Sequence, residues 1–514
     1  MNAFLLLFPA LALAAPQQPP PEAAAQVRAA SARIDELVLG QLGELGIPPA
    51  ALCDDGVFLR RAFLDLTGTL PTLVEARRFL TDARAGKRSR LVDDLLARPE
   101  FADYWAMKWG DALRVKAEFP INLWPNGAQA YHRWIRDSIE DELPFDQFAR
   151  ELLTASGSCY RRPAVNFFRA VQGKDPEALA QAVALTFLGA RYSAWPDDRR
   201  AGLAAVFSRL GFKATREWKE EIVYFDPGMP VVGSALLPDG AELVLHPGAE
   251  RRGGCADWLI APEKPGCGRV AADRIWAGLL GRGVVHELDG FRPDNPPANP
   301  ALLDFLADEF AASGWDRKFL LRAILNSQTY QRSAIPAGEP VAAAAQFACY
   351  SIRPLEAEVL VDALNQITGT TESYTSAIPE PFTFIPPDAR AQELPDGSIT
   401  SPFLELFGRP PRDTGLDSER SRAPTAAQRL HLLNSSHVWN KFQRGGGIRA
   451  LGRGAKEPAR LVEDLYLTFL SRFPTAGERQ VISDYAASGV ANSQQAALDL
   501  VWVLLNSSEF LYRH

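Results

Sequence analysis

The stretch from 409 to 420 crowds charge together: Arg409, Arg412, Asp413, Asp417, Glu419 and Arg420, set between Gly/Pro turns and a helix start. Arginine offers a planar two-pronged donor that suits a carboxylate, a sulfate or a sugar. The same charges also read as an ion-pair network that pins the loop. Just beyond, His431 stands three residues from both Gln428 and Asn434, so a helix puts all three on one face. A general base there is one reading, and a hydrogen-bonded packing histidine is the other. The catalytic candidates are Asp413, Glu419 and His431, and the ligand-binding candidates include Arg409, Arg412, Arg420 and Asn434.

Two further stretches carry chemistry-bearing residues. His286, Asp289 and Asp294, with Glu287 and Asn295 between them, could offer oxygen ligands to a hard cation such as calcium, or simply face water. Trp105, Trp109, Trp124 and Trp134 gather near Asp111 and Glu118. Aromatic faces beside acids suit sugar stacking, and Trp105 and Trp109 join the ligand-binding candidates; core tryptophans are the plainer reading. Asp111 and Glu118 are seven apart, so a continuous helix would set them on one face as a hydrolase's carboxylate pair.

The elements that position these residues are helical. Apolar residues at Ile34, Leu37, Val38, Leu42 and Leu45 predict a helix over 26–46, and Leu91, Leu95 and Leu96 mark another. Asp175-Pro176 and Asn299-Pro300 each supply a cap and a first-turn proline, while Thr425 and Gln428 form a capping box. Residues 220–247 differ. Ile222 to Phe225 are β-branched or aromatic, and 235–245 reads strand, Pro-Asp-Gly turn, strand. The expected fold is mainly α and multi-helical, with a small β hairpin or sheet inserted near 220–247. The expected segments are a signal peptide at 1–14, a Pro-rich linker at 15–24, a helical domain at 25–215, a β segment at 216–250 and a second helical domain at 251–514.

An internal echo runs through both ends of the chain. Phe58–Phe63, Leu70-Pro71-Thr72, Glu75, Leu95-Leu96 and Glu100-Phe101 are matched by Leu465–Leu467, Phe473-Pro474-Thr475, Glu478, Leu504-Leu505 and Glu509-Phe510. Proline ends one helix, threonine caps the next, and glutamate reaches back to complete the box.

Composition bounds the rest. The chain has 514 residues, a net charge of -7 and an ordinary 47% of hydrophobic residues. That balance gives no electrostatic case for nucleic acid. An apolar run at 4–13 followed by Ala12-Leu13-Ala14 fits an export signal cleaved after Ala14, which predicts a secreted or periplasmic protein without a membrane span once processed. None of the five cysteines lies in a Cys-x-x-Cys pair or beside a histidine; Cys255 and Cys267 could close a local disulfide, and buried free thiols are the other reading. No metalloprotease, phosphate-loop or serine-hydrolase motif appears. Gly445-Gly446-Gly447 reads as a flexible joint.

The run from Phe58 to Thr72, the segment Asn295–Asp304 and the run Phe403–Asn434 together resemble the planctomycete cytochrome-C-associated proteins, which pair two domains of unknown function. The resemblance implies secretion and no established activity. Relatives often carry Cys-x-x-Cys-His after the helix that matches Leu179–Gly189, and Cys-x-Cys before a Glu-Arg. Here Ala190–Asp198 and Leu416/Ser418 stand in those places, with no thiolate or imidazole to hold haem or a soft metal. The expectation is a haem-less branch without cofactor: a non-catalytic interaction or scaffold protein of the envelope or periplasm, with protein partners there. The alternatives are a carboxylate-dependent hydrolase or lyase on exported polysaccharide, and an electron-transfer component.

Overall fold

The computed structural model describes residues 21–228, 234–244, 250–261, 266–455 and 457–514. The expected signal peptide, and the linker up to residue 20, lie outside the described residues. Among the described residues helices dominate, with three small antiparallel sheets, so the expectation of a mainly α fold with small β elements holds. Among the described residues no helix is long and apolar enough to cross a membrane.

The chain opens with α1 (Pro21–Leu45), α2 (Asp55–Leu66), α3 (Leu73–Thr81), α4 (Lys87–Leu96) and α5 (Pro99–Ala112). Ile34, Val38 and Leu42 bury one stripe of α1, as their spacing predicts, against the Pro300–Ala312 and Arg317–Asn326 helices. α2 is buried almost all round, including Arg60, Arg61 and Asp65. One continuous core runs from Ala30 to Phe510.

The caps fall where the sequence puts them. Asp175 accepts from Ala178 N, Asn299 from Leu302 N, and Thr425 and Gln428 exchange both bonds of a capping box. Thr72/Glu75 and Thr475/Glu478 both form complete boxes as well. The echo extends to backbone conformation, because Gly68 (φ 61°) and Ser471 (φ 60°), each four residues before its capping threonine, are both left-handed. The two units also touch. Arg60 of α2 donates to Phe469 O and Phe510 O at 2.7 Å each, and Arg77 of α3 reaches Asp464 at 2.7 Å.

The β segment is richer than its sequence suggests. β1 (Gly157–Ser158), β2 (Leu210–Ala214) and β3 (Glu221–Phe225) form a sheet in the order β1-β3-β2, and Val223 pairs with both Gly157 and Phe212. β4 (Ser234–Leu236) and β5 (Glu242–Val244) make the expected hairpin, although 229–233 and 245–249 lie outside the described residues. β6 (Arg353–Pro354) pairs with β7 (Tyr512–Arg513) and ties the chain's end to its middle.

Of the two readings of the cysteines the free-thiol one is found, and the expected glycine joint is corrected. All five cysteines are buried free thiols. Cys255 and Cys267 each sit in a separate helix facing the core, where burial pushes both thiols up to about 12. Gly445 and Gly447 form no loose joint, since a Cβ at either would strike the carbonyls of Thr368 or Ile367. Their lack of side chain lets two segments pass in close contact.

Candidate functional site

A cavity of about 330 Å³ gathers much of the predicted chemistry. α5 supplies Trp105, Trp109 and Asp111, and the end of the Gly266–Leu280 helix and the loop after it supply Arg274, Arg282, His286 and Asp289. The segment around β6 adds Arg353 and Glu356, and the 407–422 loop closes the wall with Leu416, Asp417 and Arg420.

Local sequence explains each wall. Gly281 (φ 82°) ends the Gly266–Leu280 helix, and a Cβ there would lie 2.7 Å from Arg353 Nη1. The missing side chain admits the Arg353 guanidinium, which donates to Gly278 O at 2.9 Å and Leu279 O at 3.0 Å and so satisfies carbonyls at the helix end. Asp273 shapes the following loop by accepting from Val284 N at 2.5 Å and Val285 N at 3.3 Å. Burial pushes its carboxyl up to about 7. Asp289 spans two walls, taking Arg274 Nη2 at 2.8 Å on one oxygen and Asp417 N at 2.7 Å on the other.

The Arg-rich loop is an ion-pair network. Arg412 meets Asp111 Oδ1 at 2.8 Å, and Gly110 leaves room for its guanidinium. Arg420 meets Asp111 Oδ2 at 2.7 Å and Glu358 at 2.7 and 3.0 Å. Burial alone would raise the Asp111 carboxyl, but Arg420 and Arg412 outweigh it and hold the group below its ordinary range. Arg409 is spent on the backbone carbonyls of Ile399 and Asp396, within 3.4 Å of Glu358.

The remaining candidates scatter. Asp413 pairs with Lys116 at 2.5 Å, and Glu419 accepts from Thr414 N at 2.7 Å. His431 packs between Phe407 and His437, with ring centroids 6.0 and 5.6 Å away, and burial followed by the neighbouring His437 lowers its pKa. None of these three lines the cavity. Asn434 instead borders a separate apolar groove beside Trp439 and Trp502. His286 and Asp289 reach the cavity, whereas Asp294 pairs outside it with Arg292 at 2.9 Å. Among the described residues no group of three or more His, Cys, Asp or Glu could hold a metal ion.

The tryptophans divide. Trp105 and Trp109 are buried in the cavity wall, while Trp124 packs on Phe382 and Trp134 stacks on Phe148. The Asp111–Glu118 pair is not formed on one helix face. α5 stops at Ala112, Arg114 turns left-handed at φ 58°, and Glu118 lies in the loop beyond, accepting from Ala377 N. Sequence reasoning missed Arg282, Arg353 and Glu356; the Gly281-Arg282-Gly283 tripeptide, an arginine between two glycines, was the signal that could have found the first.

The segments singled out by their departure from the family pattern also meet here, since Arg191 lines one edge of the cavity and Leu416 and Ser418 another. Comparison with known families gives two matches. Residues 33–193 match PSCyt2, a protein of unknown function (DUF1549), and residues 251–486 match PSD1, a protein of unknown function (DUF1553). No curated protein and no solved structure matches the chain. The cavity draws its lining from both matched regions, and the order of the two matches is the order the sequence resemblance implies. The chain therefore belongs to the family that joins these two domains of unknown function, PSCyt2 followed by PSD1.

Proposed function

We propose that this is an exported, non-catalytic interaction or scaffold protein of the cell envelope or periplasm. The observation that carries this reading is the dispersal of the acid–base candidates. A general acid or base must share a cleft with its partner and be free to exchange a proton. Asp413, Glu419 and His431 do not line the cavity described above, and Asp111, which does, is locked between two guanidinium groups. The helix-pair architecture, tied together by caps and buried ion pairs, suits a rigid surface for partners.

The polysaccharide reading retains one supporting observation, the presence of Trp105, Trp109 and Asp111 in one wall. A single assay separates the two. The purified chain is incubated with acidic and neutral exported polysaccharides, and new reducing ends and unsaturated uronates are followed. The scaffold reading expects none above a heat-treated control. Product formation that disappears in Asp111→Asn would overturn it. Electron transfer is tested on the same sample by visible absorbance and metal content, where a haem band would decide for it.

A further inference from the structure

Arg282 differs from every other arginine around the cavity. Arg191, Arg274, Arg353, Arg420 and Arg422 each face a carboxylate, at distances between 2.7 and 3.8 Å. Arg282 makes no hydrogen bond or ion pair among the described residues, although it lines the cavity and its Nε is buried. Basic side chains outnumber carboxylates in the lining, and Arg282 is the arginine among them without a carboxylate facing it.

The setting of that residue is the second observation. The same wall carries an apolar patch, with Trp109, Ile275 and Leu355 beside Trp105.

We infer that this cavity is a binding site for a small ring-bearing oxyanion, a sugar acid or sulfated sugar, whose charged group sits on Arg282 and whose ring lies against Trp105. Guanidinium supplies the two-pronged contact that carboxylate and sulfate share, and the indole offers an aromatic surface to the ring. The volume lies at the lower end of small-molecule sites, which suits one sugar ring and excludes a chain. This goes beyond the scaffold reading and does not depend on it.

The test is calorimetric titration of the whole chain with glucuronate, glucose and inorganic sulfate at low ionic strength. Glucuronate binds at least about tenfold more tightly than glucose, and sulfate displaces it. Arg282→Gln loses at least about tenfold in glucuronate affinity, and Arg282→Lys recovers part of that loss. Trp105→Phe keeps the ring and weakens binding only a few-fold. If sulfate binds and glucuronate does not compete, the site takes a free anion only and the ring-bearing ligand is overturned. Equal affinity for glucose and glucuronate, no binding of either anion, or an unchanged affinity in an Arg282→Gln protein that melts like the parent would each overturn the proposal.

Discussion

Asp65 Oδ1 and Arg513 Nη1 lie 2.8 Å apart, 448 residues apart in sequence, with neither side chain exposed. Asp65 also takes Arg353 at 2.8 Å and the hydroxyls of Tyr330 and Tyr350 at 2.9 Å each. Its carboxylate thus draws α2, the 330–353 region and the final strand onto one point. Replacing a single partner of such a buried set strands the remaining charges. Asp65→Ala is expected to lower the unfolding free energy by about 3–5 kcal/mol. Urea denaturation checks this: the midpoint falls while the slope stays unchanged.

Gly68 and Ser471 occupy matching left-handed positions, but only one of them is a glycine. Ser471 is fully buried and its Oγ has no partner. Ser471→Gly should therefore stabilise the chain by about 0.5–1 kcal/mol, relieving the backbone and removing an orphaned hydroxyl. The reverse exchange, Gly68→Ser, should destabilise it strongly, because a Cβ there meets Tyr104 Cδ2 at 2.6 Å as well as the Gln392 amide. Paired thermal melts read both signs.

The two capping boxes offer a test of the repeated unit. Thr72→Ala and Thr475→Ala each remove one side-chain bond to a helix-start N–H, to Glu75 N and Glu478 N. Each should cost about 1 kcal/mol, and the double variant should lose the sum, since the two sites share no partner. Losses that differ several-fold would show that the boxes are not equivalent.

Asp273 predicts a pH dependence. Its carboxyl is raised by burial from 3.8 to about 7 in the folded chain. A group raised on folding contributes stability that is present below its unfolded pKa and is lost as pH rises through the folded one. The parent should therefore lose stability relative to Asp273→Asn between about pH 4 and pH 7, by about 2–4 kcal/mol. Asparagine keeps an oxygen for Val284 N and Val285 N, both of which donate to Oδ1. Denaturant melts of the two proteins across that range decide it, and a constant difference would be contrary to expectation.

What could be read in advance was local. Asp175 and Asn299 cap their helices through bonds three residues long, and both Pro-Thr-x-x-Glu breaks close within one turn, so the sequence carries everything such features need. The β4–β5 hairpin is legible for the same reason. β1 is not, because its two residues become a strand only by pairing with Ile222 and Val223, far along the chain. The Asp111–Glu118 pairing requires a continuous helix, and α5 ends at Ala112. Arg282 is not legible in the sequence because being unpaired is a property of surroundings that distant segments supply, whereas the arginines of the charge-rich loop are occupied by Asp111 and Glu358.

The placement of Arg513 bears on the order of events during synthesis. A polypeptide still on the ribosome holds α2 and Arg353 before Arg513, the second guanidinium on Asp65, has been made, and β6 has no partner until then. Early segments can form helices and caps, but closure around Asp65 waits for β7 to emerge. Nascent chains halted shortly before residue 513 should accordingly stay sensitive to protease around α2.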